Sequence, residues 1–128
     1  TGYQIVHLNL NARDRFNSEY DLRAVSPQQF IGFIKNATYV CTNSFHCSAF
    51  SIIFRKNYCV APKSFANARM ESLQEMFGLD QRLFQHDMIE KLDLNKLRVD
   101  YSKADELFAP FVKGSKEFLK NALYGEKN

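Results

Sequence analysis

One segment, residues 38–55, constrains the fold of this chain more than any other. Residues 38–42 are mostly β-branched or aromatic, which is typical of a strand. Asn43 and Ser44 follow, and short side chains with an oxygen are the usual caps of a helix start. From Phe45 the sequence is apolar on nearly every side of a helix, which predicts a helix buried between other elements. The segment therefore predicts a strand, a polar turn and a buried helix.

His46 is the titratable side chain in the first turn of this helix. The free N–H groups and the positive dipole end of a helix N-terminus favour a phosphate or a carboxylate. Asn43, Ser44 and His46 therefore predict an anion site at the mouth of the turn. The residues alone leave a second interpretation open, in which His46 packs the helix start and the two polar residues only cap it.

Strands and helices alternate along much of the chain. The predicted elements are a strand at 3–10, a loop at 11–25, helices at Pro27–Asn36 and from Arg69 to a C-cap at Gly78, and a strand at 58–61. Such alternation favours an α/β fold, here a Rossmann-like three-layer domain with a mostly parallel sheet. Ligands of such folds lie beyond the carboxyl ends of the strands, where residues 42–46 and 62–69 fall.

The C-terminal region has an apolar stripe at helical spacing from residue 102 onwards. Pro110 interrupts it and predicts a kink or two helices that meet there. We expect this helix to pack back on the domain, in preference to a partner or a membrane. Arg82, in a predicted turn at 79–84, is interpreted as structural and paired with Asp80 or a loop carbonyl. His7 is interpreted as a satisfied histidine on a core strand.

Composition limits the classes of function. The 128 residues and 45% apolar content predict one globular domain, and no apolar run is long enough for a membrane span or a secretory signal. A cytoplasmic protein is therefore expected. The formal charge of +3, with bases scattered among acids, argues against a nucleic-acid partner and suits an anionic substrate.

Cysteine spacing and glycine motifs give no indication of a metal or a cofactor. The three cysteines are expected to be small buried hydrophobes, and a cluster of Cys41, Cys47 and His46 lacks the spacing of a metal site. The chain has neither of the glycine-rich phosphate motifs of dinucleotide and P-loop proteins. No cofactor is predicted.

Several motifs together resemble the polysaccharide pyruvyl transferase family. Residues 42–46 (TNSFH) and 49–54 (AFSIIF) are similar to its TNSFHG-x-AFSIIF signature. Residues 26–30, 34–37, 67–73 and 77–83 are similar to stretches before and after that signature, so the resemblance covers about half of the chain. Cys47 departs from the pattern because the family usually has glycine there, and a thiol is expected to crowd the approach of a ligand.

The resemblance implies an activity and a set of residues. Enzymes of this family move the pyruvyl unit of phosphoenolpyruvate onto two hydroxyls of a sugar, which forms a cyclic ketal and releases phosphate. The implied partners are this donor and a sugar or glycan-lipid acceptor of a cell-surface polysaccharide. His46 is the implied catalytic residue, and Asn43, Ser44 and Arg69 are the implied donor-binding residues, with Lys63 in reserve.

The resemblance also implies a larger protein. The family is similar to two-domain transferases of the GT-B type, so residues 1–128 would form part of a C-terminal half, inactive without its N-terminal domain. A cytoplasmic position is implied, with peripheral association at the inner face of the membrane as an option. Two alternatives remain open: a GT-B-like glycosyltransferase that uses a nucleotide-sugar, and a non-catalytic scaffold or sugar-binding domain.

Overall fold

A computed structural model of the chain describes residues 2–8, 18, 20–61, 68–84, 88 and 93–125. Its regular elements are β1 (Val6–Leu8), β2 (Tyr20–Leu22), α1 (Pro27–Asn36), β3 (Tyr39–Thr42), α2 (Phe45–Ile53), β4 (Asn57–Val60), α3 (Ala68–Met76) and α4 (Ser102–Tyr124). Short 3₁₀ turns follow at Asp80–Arg82 and Leu94–Leu97. The predicted α/β class is confirmed. Lys63 lies outside the described residues.

The strands form two parallel pairs. β1 pairs with β2, and β3 pairs with β4 in the register that sets Tyr39 opposite Asn57 and Thr42 opposite Val60. Leu83 adds a parallel bridge beside Val60. Over the described residues these are separate two-stranded sheets, whereas the sequence predicted one sheet. The prediction of a loop throughout 11–25 is wrong at β2, a three-residue strand too short for a clear alternation pattern.

Helix α2 lies at the centre of the fold, in contact with α1, α3, β3 and β4. Cys47, Ser48, Ser51 and Ile52 are buried. The two serine hydroxyls donate to carbonyls one turn earlier, Ser48 to Ser44 O at 3.0 Å and Ser51 to Cys47 O at 2.8 Å. These bonds satisfy the polar atoms that the core encloses. The prediction of a buried helix is confirmed.

Local capping explains where two helices begin and end. The backbone N–H of Gln29 donates to Ser26 Oγ at 3.2 Å, and Ser26 N–H donates to Gln29 Oε1 at 2.8 Å, which together form a capping box before α1. Pro27 occupies the first helical position, as predicted. Gly78 follows α3 with φ of +63°, the left-handed conformation expected of a helix C-cap.

Helix α4 is one continuous helix through Pro110, so of the two predicted outcomes, a kink or two helices, the pair of helices does not form. Its first turns pack on the domain, with Ala104 buried and the ring of Phe108 5.2 Å from that of Phe77. Residues 113–124 are exposed, so the expectation that the whole helix packs back is wrong for this half. No helix in the described ranges has the length and apolarity needed to cross a bilayer.

Two further predictions concern single residues. Arg82 is buried and its Nη1 donates to the backbone oxygens of Lys96 at 3.0 Å and Arg98 at 3.4 Å, which confirms the structural interpretation with loop carbonyls as partners. The strand predicted at 3–10 was interpreted as a core strand, but its Ile5 and Val6 are 60% and 41% exposed. The β1–β2 pair leaves their side chains uncovered by any described element.

Candidate functional site

The turn between β3 and α2 is held in shape by its own side chains. Thr42 Oγ1 accepts a hydrogen bond from the backbone N–H of Ser44 at 3.0 Å. Ser44 has an extended backbone, and its Oγ accepts from the N–H of Cys47 at 3.5 Å, which makes it the N-cap of α2. Ser44 therefore caps α2, as the sequence predicted. Capping leaves the first N–H groups of α2 directed out of the helix end.

His46 is the second residue of α2 and its side chain is exposed. Its imidazole stands edge-on to the ring of Phe45, with centroids 5.8 Å apart and planes at 85°. The exposed position means that a ligand at the helix N-terminus could reach this ring. Asn43, in the bend just before Ser44, is also exposed.

Arg69 reaches the same turn from a different helix. It is the second residue of α3 and is exposed, and its guanidinium carbon lies 5.6 Å from the centroid of the Phe45 ring. A cation over an aromatic face is attracted by the ring quadrupole, which orients the guanidinium. The structure therefore places Arg69 and His46 against one aromatic ring.

The combined electrostatics of this turn favour an anion. A guanidinium and the N-terminal end of α2 both contribute positive potential at the same place. Asn43, His46 and Arg69 are all exposed, so the described residues form an open surface here. Such a surface can hold one side of a charged ligand and leaves the other side to a further element.

Cys47 does not lie on this open surface. Its side chain is 7% exposed and belongs to the hydrophobic core beneath α2. Burial raises the pKa of its thiol above the usual value. The expectation that this thiol crowds the approach of a ligand is wrong, because the third residue of α2 faces the core while the second faces solvent.

Two residues near the turn were interpreted only as core residues. Phe45 is partly buried and also contacts the two candidate site side chains, His46 and Arg69. Cys41 was expected to be buried, but it is exposed, and its register partner on β4 is the buried Cys59. A hydrogen bond with Cys59 lowers the pKa of Cys41 from 9.0 to about 7. Neighbouring side chains along a strand point to opposite faces, so a buried Val40 places Cys41 on the other face, and this period is the signal that could have revealed it.

A second group of titratable side chains joins β1 and β2. His7 Nδ1 lies 3.2 Å from Asp21 Oδ1, and Arg23 Nη2 lies 3.2 Å from Asp21 Oδ2. Desolvation raises the pKa of Asp21, but the hydrogen bonds with His7 and Arg23 and their charges lower it to a net value below 3.8. His7 is thus partnered, in line with its interpretation as a satisfied histidine.

In the part of the chain that the structure describes, no cluster of three or more His, Cys, Asp or Glu side chains is arranged to hold a metal ion.

Comparison with known proteins finds a family match in the N-terminal part of the chain. Residues 1–59 match the family model described as polysaccharide pyruvyl transferase, which confirms the family that the motifs indicated. The matched residues include Asn43, Ser44 and His46, whereas Arg69 lies beyond them. No curated protein and no solved structure matches the chain.

Proposed function

We propose that this chain is part of a pyruvyl transferase. The premise is the match of residues 1–59 to the polysaccharide pyruvyl transferase family. The reaction moves the pyruvyl unit of phosphoenolpyruvate onto two hydroxyls of a sugar in a cell-surface polysaccharide. The observation that carries the proposal is the meeting of an exposed imidazole and an exposed guanidinium at Phe45, beside the N-terminus of α2.

The donor sets the first requirement. Phosphoenolpyruvate carries a phosphate and a carboxylate, so its site needs a cation and oriented N–H donors. In the proposed arrangement Arg69 binds one anionic group through its planar fork. The N-terminal N–H groups of α2 and the amide of Asn43 bind the other, while Ser44 keeps the turn in shape.

Proton transfer sets the second requirement. The terminal CH₂ carbon of the donor gains a proton and becomes a methyl group, which makes the adjacent carbon electrophilic. One sugar hydroxyl attacks that carbon and gives up its proton. Phosphate then leaves, and the second hydroxyl closes the ketal and gives its proton to the phosphate or to solvent. We assign one of the first two proton transfers to His46, because histidine exchanges protons near neutral pH.

The open surface of the site suggests what completes it. In the proposal residues 1–128 belong to the C-terminal half of a GT-B-like enzyme, and an N-terminal domain supplies the acceptor site. The 128-residue chain would then bind the donor weakly and turn over no substrate. An acceptor carried on a lipid would place the enzyme at the inner face of the membrane.

Calorimetric titration of the chain with phosphoenolpyruvate tests the donor site. We expect binding in the wild type and at least about tenfold weaker binding in Arg69→Ala, because hydrogen bonds to charged groups contribute about 1.5 to 3 kcal/mol. His46→Ala should also weaken binding. Arg98→Ala is the matched control, since it removes the same charge from another exposed position.

Other outcomes of the titration distinguish the alternatives. Binding of a nucleotide-sugar that depends on His46 and Arg69, without any binding of phosphoenolpyruvate, would favour the glycosyltransferase. An absence of both would favour a scaffold. Equal losses in Arg69→Ala and Arg98→Ala would show that only overall charge matters, and the assigned site would then be wrong.

A further inference from the structure

The C-terminal half of α4, residues 111–124, has an apolar face that the described residues leave largely uncovered, with the ring of Phe111 at its start 6.4 Å from that of Phe77. Its largest apolar side chains are strongly exposed: Phe111 53%, Phe118 72%, Leu119 57% and Leu123 72%. At 3.6 residues per turn these four side chains, with Val112 and Ala122, fall within an arc of about 140°. The same arc contains Ala104 and Phe108, which pack on the domain at the other end of the helix. One apolar stripe therefore begins in the core and continues on an exposed surface.

The charged residues of this half lie on one side of the stripe. Lys113, Lys116 and Lys120 are its three lysines, and Glu117 is its one acidic residue. By the same helical geometry the lysines share one flank, with Lys116 next to the apolar arc, and Glu117 lies about opposite the middle of the arc. One flank of the apolar face is therefore cationic.

We propose that residues 111–124 bind an anionic lipid membrane, with the helix lying in the plane of the interface. An apolar face of phenylalanine and leucine with lysines on the polar face is the pattern of interfacial helices. The phenylalanines and leucines enter the boundary between headgroups and acyl chains. The lysine stems follow the apolar surface, and their ammonium groups meet the anionic headgroups.

Charge favours an anionic membrane over a second copy of the chain as the partner of this apolar face. If two copies of the chain paired through their α4 stripes, the three lysines of each helix would come close to those of the other. Each helix has only one glutamate in this half, and it points away from the stripe. A self-associated pair therefore lacks the acidic groups that the lysines require, whereas an anionic membrane provides them. The length of the exposed half, about 21 Å for fourteen residues, suits a helix that lies on a bilayer and is too short to span one.

This inference goes beyond the proposed transfer reaction and does not depend on it. The surface involves neither His46 nor Arg69, so a chain that fails to bind phosphoenolpyruvate could still bind lipid. If both proposals hold, α4 brings the donor site close to an acceptor held in the membrane.

Vesicle flotation tests the proposal. The chain is mixed with phosphatidylcholine vesicles that contain or lack phosphatidylglycerol, and the bound fraction is measured. We expect binding to the anionic vesicles only, with a decrease at high salt. The double variant Phe118→Ser/Leu123→Ser should lose at least about tenfold in binding. Its control is Ile5→Ser/Met76→Ser, which removes two exposed apolar side chains elsewhere and should bind like the wild type.

A second pair of variants keeps the apolar face intact. Lys116→Gln/Lys120→Gln should weaken binding about 25-fold, since each lysine near an anionic surface contributes about fivefold. Lys35→Gln/Lys96→Gln, a change of the same charge at other exposed positions, is the control. Equal binding to neutral vesicles, no binding to either kind, or equal losses in variants and controls would overturn the proposal. A dimer that Phe118→Ser/Leu123→Ser dissociates, without vesicle binding, would assign the stripe to self-association instead.

Discussion

Phe45 shows how one residue can belong both to the core and to a site. One part of its ring packs with the residues beneath α2, while Arg69 and His46 lie against it at 5.6 and 5.8 Å. An aromatic side chain can do this because it combines a large apolar area with a face that attracts cations. The position of the guanidinium therefore depends on the packing of α3 against α2.

Cys41 gives a prediction at the same scale. The hydrogen bond with Cys59 holds its pKa at about 7, and its side chain is exposed, so it should be the most reactive of the three cysteines near neutral pH. We expect its alkylation by iodoacetamide to rise with a midpoint near pH 7. Peptide mass spectrometry after short pulses at different pH values measures this midpoint.

The variant Cys59→Ala tests the cause of the shift. Without the hydrogen bond the midpoint for Cys41 should move up towards 9.0, the ordinary value for a cysteine. Cys47→Ala is the control, because this buried thiol does not pair with Cys41 and its removal should leave the midpoint in place. A midpoint that stays near pH 7 in Cys59→Ala would refute the assigned cause.

At the scale of elements, a tyrosine attaches the start of α4 to the centre of the fold. Tyr101 precedes α4, and its hydroxyl donates to the backbone oxygen of Lys56 at 2.6 Å, in the turn between α2 and β4. Tyr101→Phe should lower the free energy of unfolding by about 1 to 2 kcal/mol, because the carbonyl loses its donor. Urea denaturation measures this loss. Tyr124→Phe, at an 81% exposed position, should change the free energy by less than about 0.5 kcal/mol.

The same tyrosine affects the pH dependence of stability. Burial raises the pKa of Tyr101, so the folded protein keeps this phenol protonated at a pH where the unfolded chain has begun to ionise, above 10.0. The unfolded state then binds fewer protons, and the free energy of unfolding falls as pH rises. Tyr101→Phe should make this alkaline decline shallower. An equally steep decline in the variant would contradict the assignment.

At the scale of the whole molecule, the stabilising contacts are concentrated around α2 and leave the end of α4 outside. Residues 115–125 are exposed throughout, so their removal takes no buried surface from the core. A chain that ends at residue 114 should keep its free energy of unfolding within about 0.5 kcal/mol. Urea denaturation followed by circular dichroism gives this value.

A longer truncation provides the comparison. Ending the chain at residue 101 also removes the buried Ala104 and the ring of Phe108 that packs on Phe77. The loss of these core contacts should cost at least about 2 kcal/mol. Comparable stabilities for the two truncated chains would show that α4 does not contribute to the core.

Interactions between residues close in sequence allowed much of this structure to be predicted. The capping box at Ser26, the cap at Ser44 and the apolar composition of α2 each act within one or two helical turns. The strand before α2 and the strand after it followed from the same local patterns. The motif at residues 42–46 also predicted the family that residues 1–59 match.

Tertiary structure determined the features that depend on contacts between residues far apart in the sequence. The pairing of β1 with β2, the position of Arg69 over Phe45 and the pairing of Cys41 with Cys59 all join residues that local patterns treat separately. The stripe of α4 reads as one continuous apolar face, yet only its first turns meet other described elements. A periodic pattern specifies which face of a helix is apolar, but what lies against that face depends on how the other elements pack.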